Sequence, residues 1–325
     1  MPPALPSSIV TIWFRNERGV TRLHMRLAIT GATGFVGSAV LDEATAQLHN
    51  VRALTRRDQP AREGVEWVRG TLDDAGALAA LVEGCDAIIH IAGLTNTPDP
   101  AEFEAANVSG TANMIAATKA AGVERFVFVS SLAAREPQLS QYGASKAQAE
   151  ELVAASKLDW TMVRPPAVYG PRDVDMFELF RSAKLGLVPL PPGGATSIIH
   201  VDDLAGLLVS LSEQSRFKYI YEPSDGREGG WSHKELAQAI GRAVGKNSVF
   251  APSLPAGLLN LAAKTDRLLR GDKAKLTADR VGYMCHPNWV ARFDKAVPEA
   301  IWKPGISGDQ GLKATAQWYR AEGWL

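Results

Sequence analysis

The chain has 325 residues, enough for one large α/β unit or two modest domains around a sizeable core. Its 46% hydrophobic and 22% charged residues are ordinary globular usage, which excludes a disordered or fibrous protein. Thirty-five basic and 35 acidic residues cancel, so the broad positive field of a nucleic-acid or anionic-membrane binder is missing and any anionic ligand must be caught locally.

Residues 1–24 hold only a six-residue apolar run, IVTIWF, too short for a signal-peptide core or a membrane span. Met25 directly precedes RLAITGATG, so the folded part is expected to begin there, with 1–24 a disordered tail or a mis-assigned start. Two cysteines, Cys85 and Cys285, cannot make a disulfide framework, and a reducing cytoplasm fits them best. Cys85 reads as a packing residue, and the adjacent Cys285 and His286 have no spaced partners, so no metal is expected.

From Met25 onward, apolar or β-branched runs alternate with stretches rich in Ala, Leu, Glu and Gln. The strand candidates are RLAIT (26–30), VRALT (51–55), VEWVRG (65–70), DAIIHIAG (86–93), RFVFVSS (125–131) and WTMVRPP (160–166). Repeated βα of this kind predicts an α/β, Rossmann-like doubly wound parallel sheet, with ligands at the carboxyl ends of the strands. The regularity fades after Pro165, and 197–213 reads as a strand leading into a helix that Asp202 or Asp203 is placed to cap. The expected division is a dinucleotide-binding domain over 25–165, to which 197–216 returns, and a smaller C-terminal region over 166–325 that mainly binds substrate.

TGATGFVG (30–37) follows the first strand and opens the first helix, the context a glycine-rich dinucleotide loop requires. Gly31 would allow the tight turn, Gly34 the approach of a pyrophosphate, and Gly37 close packing of helix on strand; Thr33, Phe35 and Val36 complete the loop. Nitrogen–hydrogen groups at the helix start would hold the anion. After the second strand, Thr55 stands where an acidic side chain would bind the adenosine ribose of NAD, and Arg56 and Arg57 follow. A guanidinium there pairs with a 2′-phosphate and favours NADP, with NAD the alternative.

Tyr142 and Lys146 in QYGASKAQAE share one helix face at i and i+4. A nearby cation favours phenolate and pulls a pKa of about 10 toward neutrality, where a phenol exchanges protons.

Several motifs occur in one order: TGATGFVG, RGTLDD (69–74), HIAG (90–93), NVSGT (107–111), VSS (129–131), YGASK (142–146), RPPAVYGP (164–171) and IHVDDLA (199–205). In them the chain resembles the short-chain dehydrogenase/reductase superfamily, specifically its extended branch, the NAD(P)-dependent epimerase/dehydratase family. The resemblance implies that Tyr142 is the general acid/base and that Lys146 holds the nicotinamide ribose and lowers the phenol's pKa. It implies that Ser131, or Ser130 if the register is off by one, orients the substrate oxygen, and that Asn107 supports the lysine through backbone and ordered water. Ala92 and Gly93 would line the cofactor, Leu72 and Asp73 would sit near the adenine, and Pro165 and Val168 would border the nicotinamide. Asp202, Asp203 and His200 are expected to organise the chain rather than react.

Leu132 and Ala133 stand where sugar-nucleotide dehydratases carry an acidic pair, and Ala167 where nucleotide-sugar enzymes place an asparagine. The expected activity is therefore NADP-dependent interconversion of a carbonyl and a secondary alcohol. An NAD-dependent nucleotide-sugar epimerase and a non-catalytic NAD(P)-binding regulator or assembly factor are the alternatives. A small-molecule substrate is expected, without nucleic acid or membrane, and the family's habit is a homodimer. Met176, Phe177, Phe180 and Trp231 are candidates for the substrate pocket.

Overall fold

The computed structural model describes residues 24–214, 218–271, 274 and 276–325, so the expectation for residues 1–23 lies outside the described residues. The first half alternates as predicted: β1 (Arg26–Thr30), α1 (Phe35–Ala46), β2 (Asn50–Thr55), β3 (Val65–Arg69), α2 (Ala75–Val82), β4 (Ala87–His90), α3 (Pro100–Phe103), α4 (Gly110–Ala120), β5 (Arg125–Val129), α5 (Gln141–Ala155) and β6 (Asp159–Val163). A π-helical turn, Glu104–Ser109, joins α3 to α4. The second half runs β7 (Ala167–Tyr169), α6 (Phe177–Lys184), β8 (Ala195–Thr196), β9 (Ile198–His200), α7 (Val201–Glu213), β10 (Tyr219–Tyr221), β11 (Trp231–Ser232), α8 (His233–Ala243), α9 (Ala256–Arg270), α10 (Ala278–Met284), β12 (Asn288–Trp289) and α11 (Gly308–Ala321).

Seven parallel strands make one sheet in the order β10-β6-β5-β4-β1-β2-β3, a doubly wound topology whose order reverses between β1 and β4. Strand periodicity of two sends alternate residues to opposite faces. Leu27, Ile29, Ile89 and Val127 pack under α1 and α7, whereas Ala28, Ile88, Phe126 and Phe128 pack under α2, α4 and α5. A third cluster, built on Phe180, Ile240, Leu312 and Tyr319, consolidates α6, α8 and α11 beyond the carboxyl edge of the sheet.

Two elements differ from the sequence reading. The seventh strand, β10, adds to β6 although its three residues are too short for periodicity to reveal. The cap of α7 is His200, whose Nδ1 accepts from the Asp202 amide at 3.3 Å; neither aspartate caps it. Asp203 instead accepts from the amides of Gly305 and Ile306 at 3.0 and 2.9 Å, tying the C-terminal segment to the first turn of α7.

Candidate active site

A cleft of about 1980 Å³ opens along the carboxyl ends of the strands, on both sides of the β1/β4 switch. It is lined by Gly31, Thr33, Gly34, Phe35, Val36 and Gly37 after β1, by Thr55 at the end of β2 and by Arg56 after it. Leu72, Asp73, Ala92, Gly93, Ser131, Tyr142, Lys146, Pro165 and Val168 line the same space. Asn107 is buried behind it, and Arg57 does not line it.

The loop after β1 is shaped for close approach. Gly31 has φ +74°, and a Cβ on it would lie 2.8 Å from the Ala92 nitrogen. A Cβ on Gly37 would lie 1.9 Å from the Gly31 carbonyl oxygen, so helix α1 can start only where position 37 has no side chain. Gly34 caps α1 without a side-chain bond, and the first turn has no acidic residue, which leaves amides directed at the cleft for an anion. These features fit a dinucleotide pyrophosphate. Arg56 is exposed at this end and has no ion pair among the described residues. Asp73, exposed, accepts from the Thr71 hydroxyl, and that bond holds its carboxyl below the usual range.

At the other end, Ser140 caps α5 by accepting from the Gly143 amide at 2.9 Å, while Asp279 of α10 accepts from the amides of Gln141 and Tyr142 at 2.5 and 3.3 Å. The start of α5 is thereby fixed from both halves of the molecule. The Tyr142 ring, 9% exposed, lies between Phe103 and Tyr283, each with its centroid 6.0 Å away. Burial pushes its phenol up to about 12, opposed by a hydrogen bond with the Ser131 side chain. Ser131, not Ser130, is therefore the serine at the phenol; the Ser130 hydroxyl donates to Glu150 at 2.5 Å.

Lys146 does not lower the phenol as the i,i+4 spacing suggested. Its Nζ donates to the Val129 carbonyl at 2.7 Å and lies 4.6 Å from the Phe128 ring centre, so burial dominates at both groups. Burial, partly offset by Glu150, brings the ammonium down to about 8. The side chain of Asn107 does not reach Lys146 directly: its Nδ2 donates to Leu94 O and Ser145 Oγ at 3.0 and 2.9 Å, and its Oδ1 accepts from the Leu94 amide at 2.7 Å. It sits in the π-helical turn, a departure from α-helix that often marks functional positions.

A string of buried hydrogen bonds joins the two ends of the cleft. Thr30 Oγ1 accepts from the amides of Ile91 and Ala92, both at 3.2 Å, so its own proton goes to His90 Nδ1 at 2.7 Å. His90 is fully buried, which brings its pKa down to about 3 and keeps the ring neutral. Its Nε2 then donates to Thr111 at 3.1 Å, Thr111 to the Asn107 carbonyl at 2.6 Å, and Asn107 to Ser145, which donates to the Tyr142 carbonyl at 2.8 Å. The His90 in HIAG shows in sequence only as part of a motif.

Beyond Ser131 and Tyr142 the cleft is walled largely by apolar side chains, with a few charged ones among them. Leu94, Ala133, Leu190, Leu236, Ile240 and Leu261 are among its walls. Of the four sequence candidates only Met176 lines the cleft. Phe177 and Phe180 pack edge-on against Tyr319, and Trp231 is core, with Nε1 donating to Asp225 at 2.9 Å. Tyr283, Trp289 and Arg280, the last paired with Asp175 at 3.2 Å, line it from a C-terminal stretch that gave no sequence signal. Among the described residues no cluster of three or more His, Cys, Asp or Glu could hold a metal ion.

Asp173, 3% exposed, lines the cleft beneath Met176, and burial outweighs its bonds from the Asp175 and Met176 amides, raising its carboxyl to about 7. A raised acid contributes stability that is complete below its unfolded pKa near 4 and is lost as pH rises through about 7. Relative to Asp173→Asn, the melting temperature of the wild type should therefore fall between pH 4 and 8; parallel curves across that range would contradict the burial of this carboxyl.

Residues 31–184 match the family described as NAD(P)H-binding. A ceramide reductase of Caulobacter vibrioides is 34% identical over 309 residues, 92% of this chain and 96% of that protein. A 2-alkyl-3-oxoalkanoate reductase of Stenotrophomonas maltophilia is 28% identical over 333 residues, 89% of this chain and 98% of that protein. The crystal structure of gox2253 superposes with a TM-score of 0.72 at 25% identity, covering 93% of this chain and 99% of that one.

Proposed function

The chain belongs to the extended short-chain dehydrogenase/reductase family of NAD(P)-dependent enzymes, and on that premise we propose that it interconverts a carbonyl and a secondary alcohol with NADP, using Ser131, Tyr142 and Lys146. The observation that carries this reading is the convergence of Tyr142, hydrogen-bonded to Ser131, and of Lys146 on the cleft that the glycine loop enters. The cofactor, when bound, supplies the hydride chemistry. The loop that Gly31 and Gly37 shape would receive its pyrophosphate at Gly34, and Arg56 its 2′-phosphate, with Ala92, Gly93, Pro165 and Val168 along its length.

Ser131 Oγ and Tyr142 Oη both face the substrate oxygen in this reading. Tyr142, held protonated by its high pKa, donates its proton to the oxygen as the carbonyl becomes an alcohol, and in the reverse direction takes it back. Ser131 fixes the oxygen by a second hydrogen bond, which strengthens as negative charge develops. Lys146, a buried cation next to the β5 carbonyl edge, supports that charge and holds the ribose side of the site. Leu132 and Ala133 offer no acid for elimination, which disfavours dehydration. The apolar wall and the names of the two reductase relatives both favour a ketone with an apolar body.

Residues 166–325 would supply most of the substrate contacts, and 25–165 those to the cofactor. The test is titration of NADPH and NADH followed by a ketone screen read by absorbance of the reduced nicotinamide. Arg56→Ala should weaken NADPH binding by roughly ten- to hundredfold, the worth of a charge-assisted bond, and leave NADH unchanged. Equal loss for both cofactors would contradict the NADP assignment.

A further inference from the structure

We propose that the rim of the cleft is a docking surface for an anionic lipid bilayer. Seven of the eleven exposed large hydrophobic side chains of the described residues lie in two short stretches, 185–187 and 250–269. Leu187 pairs with Phe250 and Leu190 with Ser253 in parallel bridges, and the Leu254 amide donates to the Leu190 carbonyl at 2.8 Å, so the two stretches run side by side to the start of α9. Leu185, Leu187 and Phe250 stand on this strip at 83%, 44% and 71% exposure.

Helix α9 extends the strip. Leu259 and Ala263 are buried against Val281 of α10, while Leu258, Leu261, Leu268 and Leu269 share another face at 53–85% exposure. Leu258, Leu261 and Leu269 also line the cleft, so its apolar wall reaches the outer surface along this face of α9, beside Thr265, Asp266 and Arg270. Exposed apolar side chains gathered in two adjoining stretches in this way mark a partner.

Charge identifies the partner. The whole chain has no net charge, but residues 177–187 and 246–270 carry six basic and two acidic residues. Both acids are paired, Glu178 with Arg181 at 2.6 Å and Asp266 with Arg270 at 3.2 Å. Lys184, Lys246, Lys264 and Arg267 are exposed and have no ion-pair partner among the described residues. Leucines on one helix face flanked by lysine and arginine suit the headgroup boundary of an anionic leaflet, which attracts each basic residue. No helix among the described residues is long and apolar enough to cross a membrane, so the contact is peripheral. Resting on the carbonyl-reductase reading, the rim would pass an alkyl-tailed ketone from the leaflet to Tyr142 without exposing its tail to water.

The full chain is sedimented with vesicles of roughly equal parts phosphatidylcholine and phosphatidylglycerol, and with phosphatidylcholine alone. Binding to the anionic vesicles, weakened by salt and reduced roughly tenfold or more in Leu185→Asp/Leu268→Asp, is the expected result. Neither residue lines the cleft, so turnover of a water-soluble ketone should be unchanged in the double variant. Protein left in the supernatant with anionic vesicles, or binding that the double variant does not alter, would overturn the proposal. So would a dimer in sedimentation velocity that the same substitutions disperse, accompanied by no vesicle binding, since the rim would then cover a second copy. Absence of turnover on any ketone would count against the enzymatic reading and leave the binding result standing.

Discussion

Replacing Tyr142 by phenylalanine is expected to lower carbonyl reduction by about two to four orders of magnitude while NADPH affinity is unchanged, because the substitution removes the proposed proton donor and keeps the ring. The ring is held by Phe103 and Tyr283 and the helix start by Asp279, so the fold should not register the loss of one hydroxyl. The pH profile separates Tyr142 from Lys146. With the phenol at about 12 and the ammonium at about 8, reduction by the wild type should decline as pH rises through about 8, where Lys146 loses its proton, and not at the phenol's own value. A phenylalanine variant within about tenfold of wild-type kcat would remove Tyr142 from the chemistry.

The second large effect concerns stability. Glu222, at the end of β10 and 2% exposed, lies between two guanidiniums: Oε2 accepts from Arg135 at 3.1 Å and from the Arg292 amide at 2.9 Å, and Oε1 is 3.6 Å from Arg164. Arg164 in turn donates to both oxygens of Glu150, at 2.8 and 2.6 Å, and Glu150 receives the Ser130 hydroxyl. Arg135 also donates to the carbonyls of Val290 and Asn288. Glu222→Ala would leave the buried Arg135 guanidinium without its anion, while Arg164 keeps Glu150, and should cost about 3–5 kcal/mol of unfolding free energy in urea. A cost under about 1 kcal/mol would show that water reaches the guanidiniums in the folded state.

The local parts of this molecule were readable in its sequence. The β1 loop, the six long strands and the Tyr142/Lys146 spacing are each written within a few residues, where periodicity and turn chemistry operate. Features that depend on long-range approach were not. Arg135 and Glu222 are 87 positions apart, and nothing near either one announces the other. The expected fall in the phenol's pKa followed from an i,i+4 cation, but the fold turns that cation to the Val129 carbonyl and leaves burial to decide. The aromatic residues of 176–231 suggested a pocket because aromatics can serve either core or ligand; packing against Tyr319 and Asp225 assigns most of them to the core. The leucines of α9 carry the same ambiguity, and only their exposure separates them from core.

Because Thr111 gives its only hydrogen to the Asn107 carbonyl, it accepts from His90 Nε2, and His90 Nδ1 is left to accept from Thr30. The imidazole is thus confined to a single tautomer. Such a polarised row acts as a spacer of set length between the end of β1 and the first turn of α5, where Tyr142 stands. It cannot run backwards, because the Asn107 and Tyr142 carbonyls only accept and the Asn107 side-chain nitrogen only donates, so it is unsuited to shuttling protons, and trimming any one hydroxyl would strand its neighbours.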